Sequence, residues 1–395
     1  MMRSVALFQS AHTAAPRSRR PQGWDWPLLI AAISLLGLGL VMIASASVGL
    51  ADRQVGDPAY YLVRQSLYVG LGLAAALIAW QVPLSVWERS GPLWFIVSFL
   101  LLLALFIPGL GHSVNGSTRW LSLGPFNLQV SELTKLALIV YLAGYLVRRG
   151  DEVRTTVGGF LKPMMLMGLF AALLLAEPDF GASVVFVATG LGMIFLGGVR
   201  LWLFGLLVLF SLGALALLAI TSPYRLDRLT AFLNPWADPF NSGFQLTQAL
   251  IAFGRGEWFG VGLGSSVQKL FYLPEAHTDF VYAVLVEELG MVGGTIVVLL
   301  FAALVARIFR IGRNAAEAGM TFAAYLCYGV GIWFALQAFV NMGVNMGLLP
   351  TKGLTLPLMS YGGSSMIVMC VALALVQRVS LETPVLGTGA RRRQA

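Results

Sequence analysis

Charged side chains are scarce in this 395-residue sequence, and those that could do chemistry fall into four polar segments. The segments hold NGSTRWL with QVSELTK, EPDFG, LPEAHTDF with EELG, and LPTKG with SYGGSS. Asp279 ends the polar part of LPEAHTDF, directly before the apolar Phe280 and Val281. Apolar surroundings disfavour the charged form of a carboxylate and raise its pKa, which suits a general base. The same position also suits a helix N-cap, and the sequence leaves both interpretations open.

The same four segments supply basic and hydroxyl side chains that could bind a substrate next to Asp279. The candidate substrate-binding residues are Arg119, Lys135, Glu275, His277, Lys352 and Ser360. Cations beside a carboxylate at a membrane surface suit an anionic amphiphile with a phosphate or sugar head group. An enzyme and a transporter would use such a cleft equally well.

Several of these charges also have a structural interpretation. Arg119 could be an interfacial cation that reaches for water. Glu132 and Lys135 are three residues apart on one helix face and could simply pair. Glu177 and Asp179 are better explained as caps of the following helix than as catalytic groups, because a helix N-terminus favours anions.

Two adjacent carboxylates, Glu287 and Glu288, fall two turns into an apolar run. A charge at that depth is expensive in lipid and should face the interior of the bundle. A basic residue such as Lys135 or Lys352 is the expected partner. The segment 360–365 could serve close helix packing alone, because its side chains are small.

Composition restricts the class of protein that positions these residues. Hydrophobic residues make up 58% of the chain and charged residues 11%, against about 25% charged residues in soluble domains. The formal net charge of +8 lies beside apolar runs, which favours a role in membrane orientation over nucleic-acid binding. Cys327 and Cys370 both fall within predicted spans, and three histidines are too few and too scattered for a metal site.

The apolar runs predict an all-α polytopic membrane protein with about ten transmembrane helices. The predicted spans are 27–49, 66–82, 92–108, 132–147, 161–176, 180–198, 201–221, 281–305, 320–342 and 359–377. They give a membrane domain over 27–378 between tails 1–26 and 379–395, with a large outer loop, 222–280, between spans seven and eight. Within that loop, Phe244 to Phe253 has the spacing of a short interfacial helix. We interpret the first run as an uncleaved span rather than a signal peptide.

The distribution of charge predicts the orientation. With the N-terminus inside, inner segments carry 17 of the 26 basic residues and 6 of the 18 acidic ones. Cytoplasmic segments of membrane proteins are enriched in Lys and Arg. Both termini are therefore expected in the cytoplasm and the loop 222–280 in the periplasm.

The ordered motifs NGSTRWL, EPDFG, LPEAHTDF, EELG, LPTKG and SYGGSS resemble the SEDS family (shape, elongation, division and sporulation) over about residues 27–378. PEAHTDF with PTKG is more similar to the cell-division branch than to the elongation branch. The resemblance implies ten transmembrane helices and a glycosyltransferase that polymerises lipid II into peptidoglycan outside the membrane. It makes Asp279 the expected catalytic aspartate and Arg119, Lys135 and Lys352 functionally important cations. One departure is Val130, where relatives usually have proline.

The resemblance also implies partners and a location. A monofunctional class B penicillin-binding protein would cross-link the strands, and the FtsQ–FtsL–FtsB complex would accompany it at the septum of the inner membrane. A divalent cation, Mg or Mn, is a possible cofactor whose ligands the sequence does not identify. The rival functions are a lipid II flippase, which would need a polar path through the membrane midplane, and an elongation-type polymerase.

Overall fold

The computed structural model describes residues 23–114, 117–123, 126–220, 232–241, 243–270, 273–351 and 353–384. Within these ranges the chain is mainly helical. The helices are α1 (Trp26–Val55), α2 (Tyr60–Gln81), α3 (Leu84–Ala104), α4 (Val130–Thr155), α5 (Val157–Ala176), α6 (Phe180–Leu196), α7 (Leu201–Ile220), α8 (Phe244–Gly256), α9 (Val281–Glu317), α10 (Thr321–Asn345) and α11 (Gly363–Glu382). A short 3-10 helix covers Pro235–Ala237.

The helices confirm the polytopic membrane class. In the described residues, eight of them are long and apolar enough to cross a bilayer, and α6 and the Leu201–Ser211 part of α7 are shorter apolar helices. These ten helices overlap the ten predicted spans. The number of actual crossings remains a prediction.

The bundle has a buried centre and an apolar exterior. Helices α4, α10 and α11 bury most of their residues, whereas α2 and α3 bury only a small share of theirs. Exposed side chains include Leu67, Ile78 and Leu100. Such a surface is stable in contact with lipid, where apolar side chains face the acyl chains and backbone groups are satisfied within each helix.

A three-stranded antiparallel sheet between α3 and α4 departs from the all-helical expectation. Its strands are β1 (Gly111–Val114), β2 (Ser117–Leu123) and β3 (Phe126–Gln129), in the order β1-β2-β3. In the register, Trp120 pairs with His112 on one side and with Gln129 on the other. Arg119 thereby lies on the central strand.

The side of the bundle that carries Asp279 is called the outer side below. Helix α8, predicted as an interfacial helix, is present there, and the chain after it packs against a kink in α9. The kink is at Gly290, which has a positive φ of 70°. The amide of Met291 donates to the Glu257 carbonyl at 2.9 Å, so the loop satisfies a backbone group that the kink frees.

The two adjacent carboxylates of α9 hold this loop. Glu287 lies 3.3 Å from Arg255, and Glu288 lies 2.7 Å from Lys269. Both carboxylates are fully buried, as predicted. The expectation that Lys135 is the partner is wrong, because the cations are Arg255, in the last turn of α8, and Lys269, in the chain that follows it. The other expected partner, Lys352, lies outside the described residues.

Candidate functional site

Asp279 lies just before α9, and its side chain does not cap that helix. The N-cap residue is Phe280, with no side-chain cap hydrogen bond. Asn345 of α10 instead binds a free amide in the first turn of α9, since its Oδ1 accepts from the Ala283 amide at 3.0 Å. The N-cap interpretation of Asp279 is therefore wrong.

The main chain around Asp279 is fixed by two amide side chains. Asn341 and Asn345 each donate a 2.9 Å hydrogen bond from Nδ2 to the Asp279 carbonyl. Asn341 also donates to the Leu354 carbonyl at 2.5 Å. Helix α10 thus ties the chain at Asp279 to the chain at Leu354, which are far apart in sequence. We call Asn341 and Asn345 the asparagine clamp.

The half-buried carboxylate of Asp279 faces the segment that contains LPTKG. A Cβ on Gly353 would lie 3.1 Å from Asp279 Oδ2, so glycine allows the carboxylate to approach the backbone closely. Lys352, the predicted substrate-binding cation of this segment, lies outside the described residues. Its role stays a prediction.

His277 and Glu275 lie in the turn that leads to Asp279. His277 is buried, and its ring lies 4.7 Å from that of Tyr61. Burial lowers the pKa of His277 against the opposing effect of Glu275, so the imidazole is neutral near pH 7. Glu275 is exposed, and its carboxylate accepts a 2.7 Å hydrogen bond from the Thr278 hydroxyl. Both predicted residues therefore belong to the neighbourhood of Asp279.

Arg119 lies on a different part of the outer side. Its guanidinium donates to the Pro178 carbonyl at 2.7 Å and lies 3.8 Å from Asp179 Oδ1. Asp179 accepts from the Ala182 amide at 3.2 Å, which confirms the predicted N-cap of α6. Arg119 thus holds the sheet to the turn between α5 and α6.

That turn contains a carboxyl group with an altered pKa. Burial raises the pKa of Glu177 to about 8; Asp179 adds to the rise and Arg119 opposes it. Glu177 also lines a cavity of about 470 Å³ with residues of the segment that follows α3. Near neutral pH the side chain is therefore mostly protonated.

The structure places Lys135 in the interior of the bundle rather than in an outer cleft. It is 1% exposed, and Nζ lies 2.8 Å from Glu132 Oε1 and 2.7 Å from Gln337 Oε1. Gln337 continues the network by donating to the Thr355 carbonyl at 3.0 Å. The pairing of Glu132 with Lys135 is confirmed, and the predicted direct contact of Lys135 with substrate is not available in this arrangement.

The hydroxyl and carbonyl groups of Ser360 both accept hydrogen bonds from other parts of the chain. Its hydroxyl accepts from the Leu356 amide at 2.7 Å, and its carbonyl accepts from Gln65 Nε2 at 3.1 Å. Nearby, Ser364 joins α11 to the sheet, since its hydroxyl accepts from the Gln129 amide and donates to the Asn127 carbonyl. Ser360 closes a turn in this structure, and its predicted role in binding substrate stays untested.

The sequence interpretation missed the amide side chains that organise the site, namely Gln65, Gln337, Asn341 and Asn345. All four are buried within helices of apolar sequence. A polar group in a membrane span is expensive unless it is satisfied by a partner. That cost is the signal that would have found them.

Among the residues that the structure describes, the side chains around Asp279 do not form a divalent-cation site by themselves. Across the described residues, no three side chains of His, Cys, Asp or Glu come together where they could hold a metal ion. Mg²⁺ and Mn²⁺ prefer several oxygen ligands, and the segment here supplies Glu275 and Asp279. We therefore assign no step to a metal.

Comparison with known proteins identifies the family to which this chain is similar. Residues 26–384 match the cell cycle protein family of FtsW, RodA and SpoVE. A probable peptidoglycan glycosyltransferase FtsW from Thioalkalivibrio sulfidiphilus is 63% identical over 92% of this chain and 91% of its own length. A protein of the same description from Nitrosococcus halophilus is 62% identical over 91% of this chain and 92% of its own.

Solved structures with a similar fold lead to the same family. A chain of a peptidoglycan synthase complex that coordinates polymerization and crosslinking superposes with a TM-score of 0.74 at 30% identity, over 91% of this chain and 98% of that one. The rod shape determining protein RodA of Thermus thermophilus gives a TM-score of 0.67 at 29% identity with the same coverage. The chain therefore belongs to the cell cycle protein family of FtsW, RodA and SpoVE, the SEDS family that its ordered motifs indicate.

Proposed function

We propose that this chain is a peptidoglycan glycosyltransferase that polymerises lipid II into glycan strands at the outer membrane face during septal wall synthesis. The observation that carries the proposal is the position of Asp279, whose main chain is held by Asn341 and Asn345 while its side chain is not used as a helix cap. The names of the FtsW relatives, at over 60% identity, support the same activity.

The proposed reaction is a single displacement. Asp279 removes the proton from the 4-hydroxyl of the acceptor sugar, and the oxygen forms a bond to the anomeric carbon of the donor. The bond from that carbon to the lipid diphosphate breaks, and the diphosphate leaves with the electron pair and with inversion at carbon. Arg119 and Lys352 are the candidate cations for the charge that develops on the leaving group.

The test is Asp279→Asn in purified protein with labelled lipid II, with glycan length followed on gels. The variant keeps the shape of the side chain but not its basicity. Polymerisation should fall by about 10²- to 10⁴-fold, the usual contribution of a general base. Asp57→Asn, on an exposed outer turn, is the matched control and should polymerise normally. Equal rates for Asp279→Asn and wild type would exclude the general base.

The flippase alternative predicts a different distribution of polar groups. The buried network of Lys135 begins in the first two turns of α4, and the part of α4 from Leu136 to Val140 is buried and apolar. A polar path through the midplane, which translocation needs, has no support from this helix. A liposome assay of lipid II translocation separates the two: if Asp279→Asn abolished translocation but left polymer formation intact, the flippase would stand.

We infer the partner from the likeness of this chain to one in a complex that coordinates polymerization and crosslinking. A class B penicillin-binding protein would supply transpeptidation, and the FtsQ–FtsL–FtsB complex would join it at the septum. The likeness to a chain of a peptidoglycan synthase complex supports such an assembly. Purified alone, the chain should make little polymer, and its cognate class B partner should raise the rate. Stimulation by an elongation-type partner instead would favour the elongation-type polymerase.

The proposed orientation puts Asp279 in the periplasm and both termini in the cytoplasm of the inner membrane. Single cysteines at Asn241, in the outer loop, and at Glu317, at the other end of α9, test it in a chain that lacks Cys327 and Cys370. An impermeant thiol reagent on spheroplasts should label position 241 alone. Labelling of position 317 alone would invert the topology.

A further inference from the structure

Arg64 lies where the surface of the bundle would meet the outer leaflet. It is on α2, four residues from the outer end of the helix at Tyr60, and it is exposed. Leu67 and Leu71 follow it on the same helix face, and their side chains are 60% and 42% exposed. Because exposed apolar residues of a spanning helix face lipid, the guanidinium lies at the outer edge of a lipid-facing stripe.

The contacts of Arg64 differ from those of other cations near the spans. Lys135, Lys269 and Arg307 each have a carboxylate oxygen at 2.7–2.8 Å. Among the residues that the structure describes, no carboxylate lies within 4.0 Å of Arg64 in an ion pair. Its positive charge is thus left without a buried counter-charge from the described chain.

Two neutral aromatic side chains hold the guanidinium instead. Its central carbon lies 4.9 Å from the ring centroid of Tyr60, and the Tyr361 side chain lies beside it. A guanidinium carries five N–H donors in a rigid fork. These contacts orient the group and leave donors for an anion that approaches from the membrane.

The aromatic side chains continue from Arg64 to the neighbourhood of Asp279. Tyr61 lies 5.2 Å from Tyr361 and 4.7 Å from His277, measured between ring centroids. The Tyr361 amide donates to the His277 carbonyl at 3.0 Å. His277 is two residues before Asp279, so one continuous wall links the lipid-facing cation to the proposed general base.

This arrangement is built into the fold by the residue next to Arg64. Gln65 is buried; its Nε2 donates to the Ser360 carbonyl at 3.1 Å, and its Oε1 accepts from the Gly362 amide at 3.3 Å. These bonds fasten α2 to the segment that carries Tyr361. The position of Arg64 relative to Tyr361 is therefore set by the backbone.

We propose that Arg64, Tyr60 and Tyr361 form a lateral entry subsite that binds the diphosphate head group of a polyprenyl lipid as it arrives from the outer leaflet. Arginine suits phosphate because its planar fork donates two parallel hydrogen bonds. The identity of the lipid rests on the proposed function. Ordinary anionic phospholipids share the phosphate chemistry, and the experiment separates these two sources.

The test measures binding of undecaprenyl diphosphate to the full chain in nanodiscs of zwitterionic phosphatidylcholine. This probe carries no sugar, so no transfer occurs. Arg64→Ala should bind it about 10- to 100-fold more weakly, the usual effect of losing hydrogen bonds to a charged group. Arg64→Lys should lose less, and Tyr361→Phe less again. Arg53→Ala, at the outer end of α1, is the matched control and should bind as wild type does.

Two outcomes overturn the subsite. The first is unchanged affinity of Arg64→Ala for the probe. The second is equal loss of affinity for phosphatidylglycerol and for the probe, which would make Arg64 a general phospholipid contact. If Arg64→Ala melts at a lower temperature than wild type, Arg64→Gln replaces it, because it keeps the length and hydrogen bonding of the side chain.

The design also separates the subsite from the proposed function. Binding is measured without turnover, so a wild-type chain that binds the probe but makes no polymer would refute the glycosyltransferase alone. A wild-type chain that polymerises lipid II while Arg64→Ala binds normally would refute the subsite alone.

Discussion

Arg119 and Lys135 make an instructive pair, because each is a cation near the outer end of a span and each lies near a carboxylate. The side chain of Arg119 is 24% exposed and 3.8 Å from Asp179, whereas that of Lys135 is 1% exposed and 2.8 Å from Glu132. In this structure the guanidinium of Arg119 is partly open to solvent, whereas the ammonium of Lys135 is enclosed with Glu132 and Gln337. Burial, and not charge, separates a candidate binding residue from a structural one.

The largest expected effect on stability is at Lys135. Lys135→Met leaves the Glu132 carboxylate buried without its cation, and breaking a buried pair costs about 3–5 kcal/mol. Thermal melting in detergent should show a strong loss of stability. The matched variant Lys135→Met with Glu132→Gln removes both charges and should recover much of it, since replacing a whole buried pair is often neutral. A single variant as stable as wild type would contradict the network.

The asparagine clamp should come next. Asn341→Leu removes the Nδ2 donor that Asp279 and Leu354 share, and a buried acceptor left unsatisfied costs about 1–3 kcal/mol. Because the clamp positions the proposed base, the rate should fall while the affinity for lipid II changes little. Asn341→Gln, which keeps the amide but displaces it, should rescue stability better than rate. A normal rate in Asn341→Leu would show that the clamp is structural only.

The helices of this protein follow from sequence, because long apolar runs have few alternatives in lipid. Helix α8 was equally predictable from its spacing. The strands between Gly111 and Gln129 were not, since each is short and their pairing depends on register. The sequence also does not show that Arg119 is partly exposed and Lys135 buried, because both residues lie within polar motifs and only tertiary packing distinguishes them. The asparagine clamp, Asn341 and Asn345, binds the main chain at Asp279 and Leu354, and no local sequence pattern marks those long-range contacts.

A smaller effect should follow pH at Glu177. Its pKa rises from an ordinary 4.5 to about 8 in the folded chain, so the folded state holds a proton that the unfolded state releases. The contribution to stability is complete below pH 4.5 and is lost as pH rises toward 8, at most about 1.4 kcal/mol per pH unit. Glu177→Gln should remove this slope from melting temperatures between pH 5 and 8. An identical slope in the variant would assign the effect to another group.

The smallest change in stability is expected at Arg119, together with a clear change in chemistry. The Arg119 side chain is 24% exposed and lies 3.8 Å from the buried Asp179. A long, partly exposed pair contributes about 1 kcal/mol, so Arg119→Ala should melt only slightly below wild type. If the guanidinium stabilises the leaving diphosphate, polymerisation should nevertheless fall by at least tenfold, and Arg119→Lys should recover part of it.

Removing the Arg119 side chain has a second consequence, because Arg119 opposes the rise in the pKa of Glu177. The upper end of the pH range over which stability falls should therefore be displaced to a higher pH in Arg119→Ala than in wild type. In the double variant Arg119→Ala with Glu177→Gln, that displacement should vanish while the loss of rate remains. If the double variant instead polymerised at the wild-type rate, Arg119 would act through Glu177 and would not meet the substrate.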